Sequence, residues 1–444
     1  MYTTPANGDV RYSYQGAFSM KILLSDVFAP GSMPEHTYIN RSVEGGGTTY
    51  EEKLEKALVK KGNLISITGG TKTGKSVLCN RVLGTGRCVV INGAEVKSPE
   101  DFWQYVAEQL EIPEEFQVSD SLQEIEGTKF GTSAKASLFN FFSAGVSTGQ
   151  EKSQSSGQNT VKKIKRSNAL IMNVLIKRGI ALVIDDFHYI EKETQLYMAR
   201  VLKAQIFHGL RAVLLSLPHR ADEAIRLNPD LIGRVSFIEM APWSKDELKQ
   251  IGRKGFALLN MEITDEALEM LASESALSPQ LMQENCFNLA YAMNTEDRVI
   301  TIEDVRKAFQ DTVTEYKHYQ DVVVKIMEGP SRGRNRRKAY KLRNGKTGDI
   351  YDVFLLGISD DPPLLKFSLE EIHRRIKNVI AEDETVPVSL NISKTAKNIE
   401  KIVNESMPNA DTLDWKNGEL YILDPFLLFY LRWDKGWKNI FLQV

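Results

Sequence analysis

Cysteine and histidine are scarce in this sequence of 444 residues and form no recognisable pattern. Its three cysteines, Cys79, Cys88 and Cys286, include no CxxC pair. An odd and widely spaced set excludes a disulfide framework and favours a reducing compartment, which we take to be the cytoplasm. The six histidines stand singly, without the HxxxH spacing or the Cys/His clusters of zinc sites. The sequence therefore predicts no zinc centre.

Long apolar runs and an excess of one charge are also missing. No window approaches the roughly 18 unbroken apolar residues of a spanning helix, and the start, MYTTPANGDVRYSYQG, lacks the apolar segment of a secretion signal. We therefore expect no membrane association. The net charge of -2 indicates no particular partner by itself. The length exceeds what one hydrophobic core usually organises, so we expect about two or three domains.

Between residues 49 and 241, apolar β-type runs alternate with helical patterns. The runs are LISIT, RCVVING, GIALVIDDF, RAVLLSL and VSFIEM. This alternation predicts an α/β core, a P-loop-type parallel sheet flanked by helices. We expect an N-terminal arm, 1–48, laid over this core and a flexible insertion at about 128–165, rich in Ser, Gly and Gln. The apolar patch ASLFNFF in the insertion is either a packed hairpin or a contact surface.

The second half of the chain predicts helices first and a mixed domain afterwards. Helical periodicity over 242–315 indicates a helical lid. In 316–444, a basic linker precedes the helix YDVFLLGIS, a helix with Ser368 as N-cap and Glu371 at N3, and the helix SKTAKNIEKIVNES. A hairpin around Asn417-Gly418 follows. Three helices and a hairpin are typical of a winged-helix domain.

The stretch LISITGGTKTGKSVLCNRVL contains the P-loop pattern GxxxxGKS, preceded by an apolar run and followed by a helical one. Its glycines let backbone N–H groups turn toward phosphate oxygens, and the helix N-terminus adds partial positive charge. We expect Lys75 to reach the β- and γ-phosphates of ATP and the Ser76 hydroxyl to coordinate Mg²⁺. Lys72 and Thr73 are interpreted as loop fillers. The predicted nucleotide-binding loop is Gly69, Gly70, Thr71, Lys72, Thr73, Gly74, Lys75, Ser76 and Val77.

A second strand, ALVIDDFHYI at residues 181–190, ends in two carboxylates and is a Walker B candidate. Asp185 is predicted to orient the Mg²⁺ shell, and Asp186 to act as general base on the attacking water. The alternative is a buried strand that ends in a polar turn. His188 is interpreted as a structural neighbour.

Three further residues are candidates for contact with the γ-phosphate. Ser216 ends the strand AVLLSL and Arg220 follows in the loop LPHR, and the sequence does not separate the two as a sensor. Arg234, before VSFIEM, is either a surface residue or an arginine that stabilises transition-state charge in a neighbouring subunit's site.

The order of P-loop, Asp-Asp strand, sensor strand, arginine-led strand and helical lid resembles the AAA+ and STAND branches of P-loop ATPases. GGTKTGKS and LVIDDFHYI are similar to the cores of origin-recognition-type initiators, TnsC-like transposition regulators and archaeal-type ATPases, over about residues 35–315. LYILDPFLLFYLRW is similar to the closing segment of archaeal-type ATPases. The resemblance implies ATP hydrolysis and a homo-oligomer.

The same resemblance implies an adenine site. The stretch 276–280, ALSPQ, stands where STAND proteins carry a GxP motif, which implies that Pro279 touches adenine although Ser278 replaces the glycine. TYINR, residues 37–41, resembles the segment that leads into the adenine site and includes Arg41. Asp186 in place of glutamate favours the STAND branch, several members of which act in bacterial anti-phage defence.

Residues 332–346, RGRNRRKAYKLRNGK, carry eight Lys or Arg and no acidic residue. Such clusters bind nucleic-acid backbones by releasing counterions, so the segment predicts DNA contact beside the winged helix. The alternative is a solvated linker or a docking surface for an effector protein. The nucleic-acid candidates are Arg332, Arg334, Arg336, Arg337, Lys338, Lys341 and Arg343.

Three functions fit these patterns. The first is an ATP-hydrolysing switch or motor that couples nucleotide state to oligomerisation and to engaging DNA or an effector protein. The second is a DNA-loading or transposition-type regulatory ATPase. The third is a scaffold that binds ATP without hydrolysing it, so that the nucleotide only orders the lid and winged helix.

Overall fold

A computed structural model describes residues 22–84, 86–119, 125–126, 161–217, 233–294, 297–330, 337–408 and 410–442. The chain forms two compact units. The first contains the N-terminal residues up to Ile39, the short stretch Thr71–Thr73 and Pro242–Val444. The second contains Asn40–Gly70 and Gly74–Ala241. Among the described helices, none combines the length and apolarity needed to cross a bilayer.

The described part of the chain contains the following helices and strands. The helices are α1 (Leu24–Val27), α2 (Tyr50–Val59), α3 (Lys75–Leu83), α4 (Pro99–Gln109), α5 (Asn168–Arg178), α6 (Lys192–Phe207), α7 (Lys245–Leu258), α8 (Asp265–Glu274), α9 (Pro279–Ala292), α10 (Ile302–Glu315), α11 (His318–Glu328), α12 (Ile350–Ile358), α13 (Leu369–Val379), α14 (Ser389–Ser406), α15 (Pro425–Trp433) and α16 (Lys435–Phe441). The strands are β1 (Leu64–Thr68), β2 (Cys88–Asn92), β3 (Glu115–Ser119), β4 (Ile125–Glu126), β5 (Val161–Lys165), β6 (Ala181–Asp185), β7 (Ala212–Ser216), β8 (Val235–Glu239), β9 (Tyr340–Lys341), β10 (Thr347–Gly348), β11 (Lys366–Ser368), β12 (Leu413–Lys416) and β13 (Glu419–Ile422).

A five-stranded parallel sheet forms the centre of the second unit, in the order β2-β6-β7-β1-β8. Every residue of β1 and β7 is buried, as expected for near-continuous apolar strands covered on both faces. This confirms the predicted α/β fold. Because the strands are parallel, their carboxyl ends meet at one edge, where Thr68 pairs with Ser216 and Asn92 with Asp185.

The last residues of the predicted insertion, Val161–Lys165, form a strand that the sequence did not suggest, as do two segments before the insertion. β5 pairs antiparallel with β3, with Glu115 opposite Lys165, and β3 also pairs with β4. The lysine-rich run VKKIK has only a short apolar alternation, which gives a weak strand signal. Residues 127–160, including the patch ASLFNFF, lie outside the described residues.

Helices α7 to α10 of the first unit lie within 242–315, the range predicted to be a helical lid, and described arm residues up to Ile39 pack against them. Phe28 lies on Gly255 of α7, where an added Cβ would approach its ring to 2.2 Å. The backbone N–H of Ala29 donates to Gln283 of α9. The remaining arm residues, 40–48, belong to the second unit, so the expectation that the arm covers the next domain along the chain stays a prediction.

The C-terminal part follows the order α12-β11-α13-α14-β12-β13, with an antiparallel sheet β11-β13-β12. Asn417 and Gly418 both have positive φ, as a two-residue hairpin turn requires. The Ser368 side chain accepts from the Glu371 N–H, so the predicted cap of α13 is confirmed. α14 begins at Ser389, earlier than the predicted Ser393.

Candidate nucleotide site

The loop with the GxxxxGKS pattern lies between β1 and α3. Gly74, the N-cap of α3, has φ +93°, a left-handed conformation that strains residues with a side chain. The Gly69 N–H donates to the Ser216 carbonyl at the end of β7. The first N–H groups of α3 have no partner within the helix and can bind an anion.

Lys75 is buried and directed into this loop. Its Nζ donates to the carbonyls of Gly69 and Gly70, at 3.1 and 2.9 Å. Burial lowers the pKa of Lys75, and the charges of Asp185 and Asp186 oppose that shift. The ammonium therefore lies in a desolvated site beside two carboxylates, where phosphate oxygens are stronger partners than neutral carbonyls.

Ser76 and Asp185 place two oxygen donors together. The Ser76 hydroxyl donates to Asp185 Oδ2 at 2.5 Å, and Asp185 Oδ1 accepts from the Asp186 N–H at 2.9 Å. Hydroxyl and carboxylate oxygens fit Mg²⁺. The residues described here contain no cluster of three or more His, Cys, Asp or Glu suited to a metal.

Asp186 follows β6 with φ +50°, unusual for a residue other than glycine. Its backbone carbonyl lies against Gly93, where an added Cβ would be 2.4 Å from that oxygen. The buried Gln195 donates to the carbonyls of Phe187 and Ile190 and holds the turn that follows. Sequence reasoning missed the roles of Gly93 and Gln195; the glycine after RCVVIN was the only available signal.

Ser216 lies where the sequence predicted, at the carboxyl end of β7. It is 1% exposed, pairs with Thr68 and accepts from the first glycine of the loop through its carbonyl. Arg220 lies outside the described residues. The assignment of either residue as a γ-phosphate sensor stays a prediction.

Arg234 lies at the opposite edge of the sheet from the loop. Its carbonyl accepts from the N–H of Leu64, the first residue of β1, and its side chain is exposed. The five residues of β1 place it roughly 16 Å from the loop of its own sheet at about 3.3 Å per residue. Arg234 is therefore remote from its own loop, and its role in a neighbouring subunit stays a prediction.

The outer residues of the loop, Thr71–Thr73, belong to the first unit. Lys72 forms an ion pair with Asp424 at 2.7 Å and lies 4.0 Å from the centre of the Phe426 ring. The carbonyl of Thr73 accepts from Trp243 Nε1 at 2.9 Å. The interpretation of Lys72 and Thr73 as loop fillers is wrong, because each has a specific partner distant in sequence.

The two adenine-site candidates occupy different units. Arg41 of the second unit is buried; its guanidinium donates to the Ala241 carbonyl and lies over the Tyr50 ring. Pro279 of the first unit is the first residue of α9, after the N-cap Ser278. Ala276 and Leu277 just before it both have positive φ. Contact of Arg41 or Pro279 with adenine stays a prediction.

Three of the described cations of the basic segment are paired with acids from outside it. Arg337 donates to Asp349 at 2.6 Å, Lys338 to Glu384 at 3.0 Å, and Lys341 lies 3.7 Å from Asp383. These pairs reduce the charge available to a phosphate backbone. Arg343 is exposed. Arg332, Arg334 and Arg336 lie outside the described residues, so DNA contact by this segment stays a prediction.

Known proteins resemble this chain only distantly. No protein-family model matches it. RuvB-like helicase 1 of Kluyveromyces lactis is 26% identical over 171 residues, 34% of this chain, so the match spans about a third (36%) of that relative. Among solved structures, Cdc6p of Pyrobaculum aerophilum has a TM-score of 0.43 at 15% identity and covers 92% of this chain and 97% of its own. A Walker-type ATPase of Pyrococcus abyssi has a TM-score of 0.47 at 14% identity, over 89% and 96% of the two chains.

Proposed function

We propose that this chain is an AAA+/STAND-type ATPase that binds ATP with Mg²⁺ and hydrolyses it. The observation that carries the proposal is a glycine loop in which the buried Lys75 ammonium binds the Gly69 and Gly70 carbonyls and the next residue, Ser76, donates to the Asp185 carboxylate. A buried strand that merely ended in a polar turn would not require a desolvated lysine next to two aspartates. Phosphate oxygens would give that ammonium charged hydrogen-bond partners in place of the two neutral carbonyls.

Each residue contributes a separate step. The loop N–H groups and the α3 N-terminus bind the phosphates, and Lys75 moves from the Gly69 and Gly70 carbonyls to phosphate oxygens. Ser76 and Asp185 would hold Mg²⁺, which neutralises charge on the β- and γ-oxygens when bound. Asp186 acts electrostatically on Lys75, so its carboxylate belongs to the same site, where it orients and deprotonates the attacking water.

Steady-state ATP turnover and ATP binding test this proposal together. We expect Asp186→Asn to keep ATP binding and to lose about 10²-fold or more in turnover, the usual contribution of a general base. Asp311→Asn, an exposed aspartate of α10, is the matched control and should leave both unchanged. A wild-type protein that binds ATP and shows no turnover would support the nucleotide-gated scaffold instead.

We further propose that the chain acts as a homo-oligomer. Arg234 is exposed at the sheet edge opposite its own loop, so only a second copy could bring it to a nucleotide. An arginine supplied in this way stabilises the charge of the transferring phosphoryl group. Mass photometry with ATP should show assemblies, and Arg234→Ala should lower turnover without lowering ATP affinity. Equal turnover of wild type and variant in the assembled state would reject this role.

The output element is proposed to be a winged-helix domain, which the order α12-β11-α13-α14-β12-β13 supports. Val388 and Leu390, at the start of α14, are 61% and 78% exposed. Together with the paired cations of the basic segment, these apolar side chains favour an effector protein over a DNA backbone.

The partial similarity to a helicase keeps a DNA-directed ATPase as the second candidate. Salt-sensitive binding of duplex DNA that stimulates turnover would favour the second candidate.

A further inference from the structure

The carboxylate of Asp424 has an unusual set of partners within the first unit. It is 7% exposed and is the N-cap of α15, where Oδ1 accepts from the Phe426 N–H at 3.2 Å. The same Oδ1 accepts from Lys72 Nζ at 2.7 Å. The other oxygen, Oδ2, accepts from the hydroxyl of Tyr319 on α11. Both oxygens are therefore engaged, and the charge of this buried carboxylate is balanced by Lys72.

Tyr319 keeps its proton and remains a donor to Asp424. Burial, then the neighbouring Asp424 charge, raises the pKa of Tyr319 far above its usual range. The phenol therefore fixes one carboxylate oxygen at all ordinary pH values, and the cap of α15 fixes the other. Contacts with α11 and α15 therefore fix the position of the Asp424 carboxylate independently of Lys72.

Lys72 needs such a partner because of its own backbone. Its φ is +59°, a left-handed conformation that is unfavourable for a lysine unless its surroundings compensate. The Asp424 ion pair and the face of the Phe426 ring provide that compensation. The next residue, Thr73, is held through its carbonyl by Trp243. Two consecutive loop residues thus have external anchors.

We propose that Asp424 is a positioning residue for the nucleotide loop: it holds Lys72, and thereby the backbone of residues 71–73, in the conformation that receives phosphate. This inference rests on the proposed ATP binding. A loop already held in its binding conformation loses less entropy when the nucleotide binds, so removal of the anchor weakens affinity. Turnover by bound nucleotide depends on Lys75 and Asp186, and it stays unchanged.

The closing segment offers a matched control. Asp434 is the N-cap of α16, accepts from the Trp437 N–H and is hydrogen-bonded to Tyr430. Like Asp424, it caps a helix and has a tyrosine as a hydrogen-bond partner. Unlike Asp424, it is not paired with Lys72 of the nucleotide loop. Asp424→Asn and Asp434→Asn both preserve a capping oxygen and remove one charge.

Two measurements on the full chain test the proposal. The first is hydrogen exchange of the loop peptide containing residues 71–76 in the nucleotide-free protein. The second is the Kd for ATP with Mg²⁺, with KM and kcat determined alongside. We expect Asp424→Asn to speed exchange of this peptide and to raise Kd and KM about tenfold, within the range of charged-pair couplings, with kcat unchanged. Asp434→Asn should alter neither readout.

A double-mutant cycle decides whether the effect acts through Lys72. Lys72→Met should reproduce the Asp424→Asn effect, the double variant should be no worse than either single one, and Lys72→Arg should restore most of the affinity. Additive losses of ATP affinity in the double variant would overturn the proposal. Equal losses of ATP affinity in Asp424→Asn and Asp434→Asn would overturn it as well. Failure of the wild type to bind ATP would reject the proposed function, while unchanged exchange in Asp424→Asn would reject the anchor independently.

Discussion

The inner and the outer residues of one loop differ in what determines their conformation. Gly69, Gly70 and Gly74–Ser76 belong to the unit with the parallel sheet and contact its strand ends. Thr71–Thr73 belong to the helical unit and bind side chains of Asp424 and Trp243. The inner residues carry the pattern expected for phosphate and magnesium binding, and the conformation of the outer residues depends on partners distant in sequence. Changes at the two positions should therefore affect different kinetic constants.

The largest effect on turnover is expected at Gly93, where an added Cβ would clash with the backbone of Asp186. Gly93→Ala would place a Cβ 2.4 Å from the Asp186 carbonyl and displace the turn that carries the proposed base. We expect turnover to fall by about 10²-fold, the cost of roughly 1 Å of misplacement, with ATP binding largely retained. Steady-state kinetics measure the turnover, and nucleotide titration measures the ATP binding.

Gly47→Ala is the control for this substitution, because a Cβ there meets no atom within 4 Å. It should leave turnover unchanged. A Gly93→Ala protein with normal turnover would show that the position of the Asp186 turn does not govern hydrolysis.

A smaller effect is expected from the second anchor of the outer loop. Trp243→Phe removes the N–H that binds the Thr73 carbonyl and keeps the ring. One neutral hydrogen bond corresponds to about two- to tenfold in equilibrium, so the Kd for ATP should rise by that factor while kcat stays constant. Trp103→Phe is the matched control, since its Nε1 donates to Tyr197 in the other unit. Equal changes in the two variants would contradict a specific role of Trp243.

The smallest effect concerns stability and is confined to the helical unit. Burial, then the neighbouring Glu315, raises the pKa of Glu284 in α9 to about 7 from 4.5. The folded protein holds this proton more tightly than the unfolded chain does. The contribution of the protonated Glu284 to the free energy of unfolding is therefore complete below pH 4.5 and is lost as the pH rises through about 7. Thermal unfolding from pH 5 to 8 should show a smaller decline for Glu284→Gln than for wild type. Glu266→Gln, an exposed residue of α8, should retain the full decline.

Sequence reasoning could predict the inner site because its signals are local. GxxxxGKS, the five apolar strand runs and the Asp185-Asp186 pair are each readable within about ten residues, and parallel pairing then brings their ends together. The outer contacts could not be found in this way. Lys72 and Asp424 are 352 positions apart, and neither has a pattern that indicates the other.

Other differences between the sequence predictions and the structure also arise from contacts between residues that are distant in sequence. The basic segment contains no acid of its own, yet Asp349 and Glu384 neutralise two of its cations through the fold. Gly93 is constrained by the carbonyl of Asp186, the residue that follows the neighbouring strand β6, and this contact depends on the pairing of β2 with β6. Local patterns predict element type and phosphate chemistry, whereas pairings across the fold determine which charges and glycines matter.

Calorimetric titration of ATP with Mg²⁺ into the nucleotide-free wild type and into Lys75→Ala tests the proposed site most directly. Lys61→Ala, an exposed lysine of the same unit, serves as control, and thermal unfolding verifies that each variant is folded. We predict one saturable ATP site per chain in wild type and Lys61→Ala and none in folded Lys75→Ala. Absence of binding in wild type, or equal affinity in all three proteins, would contradict the assignment of residues 69–76 as a nucleotide site.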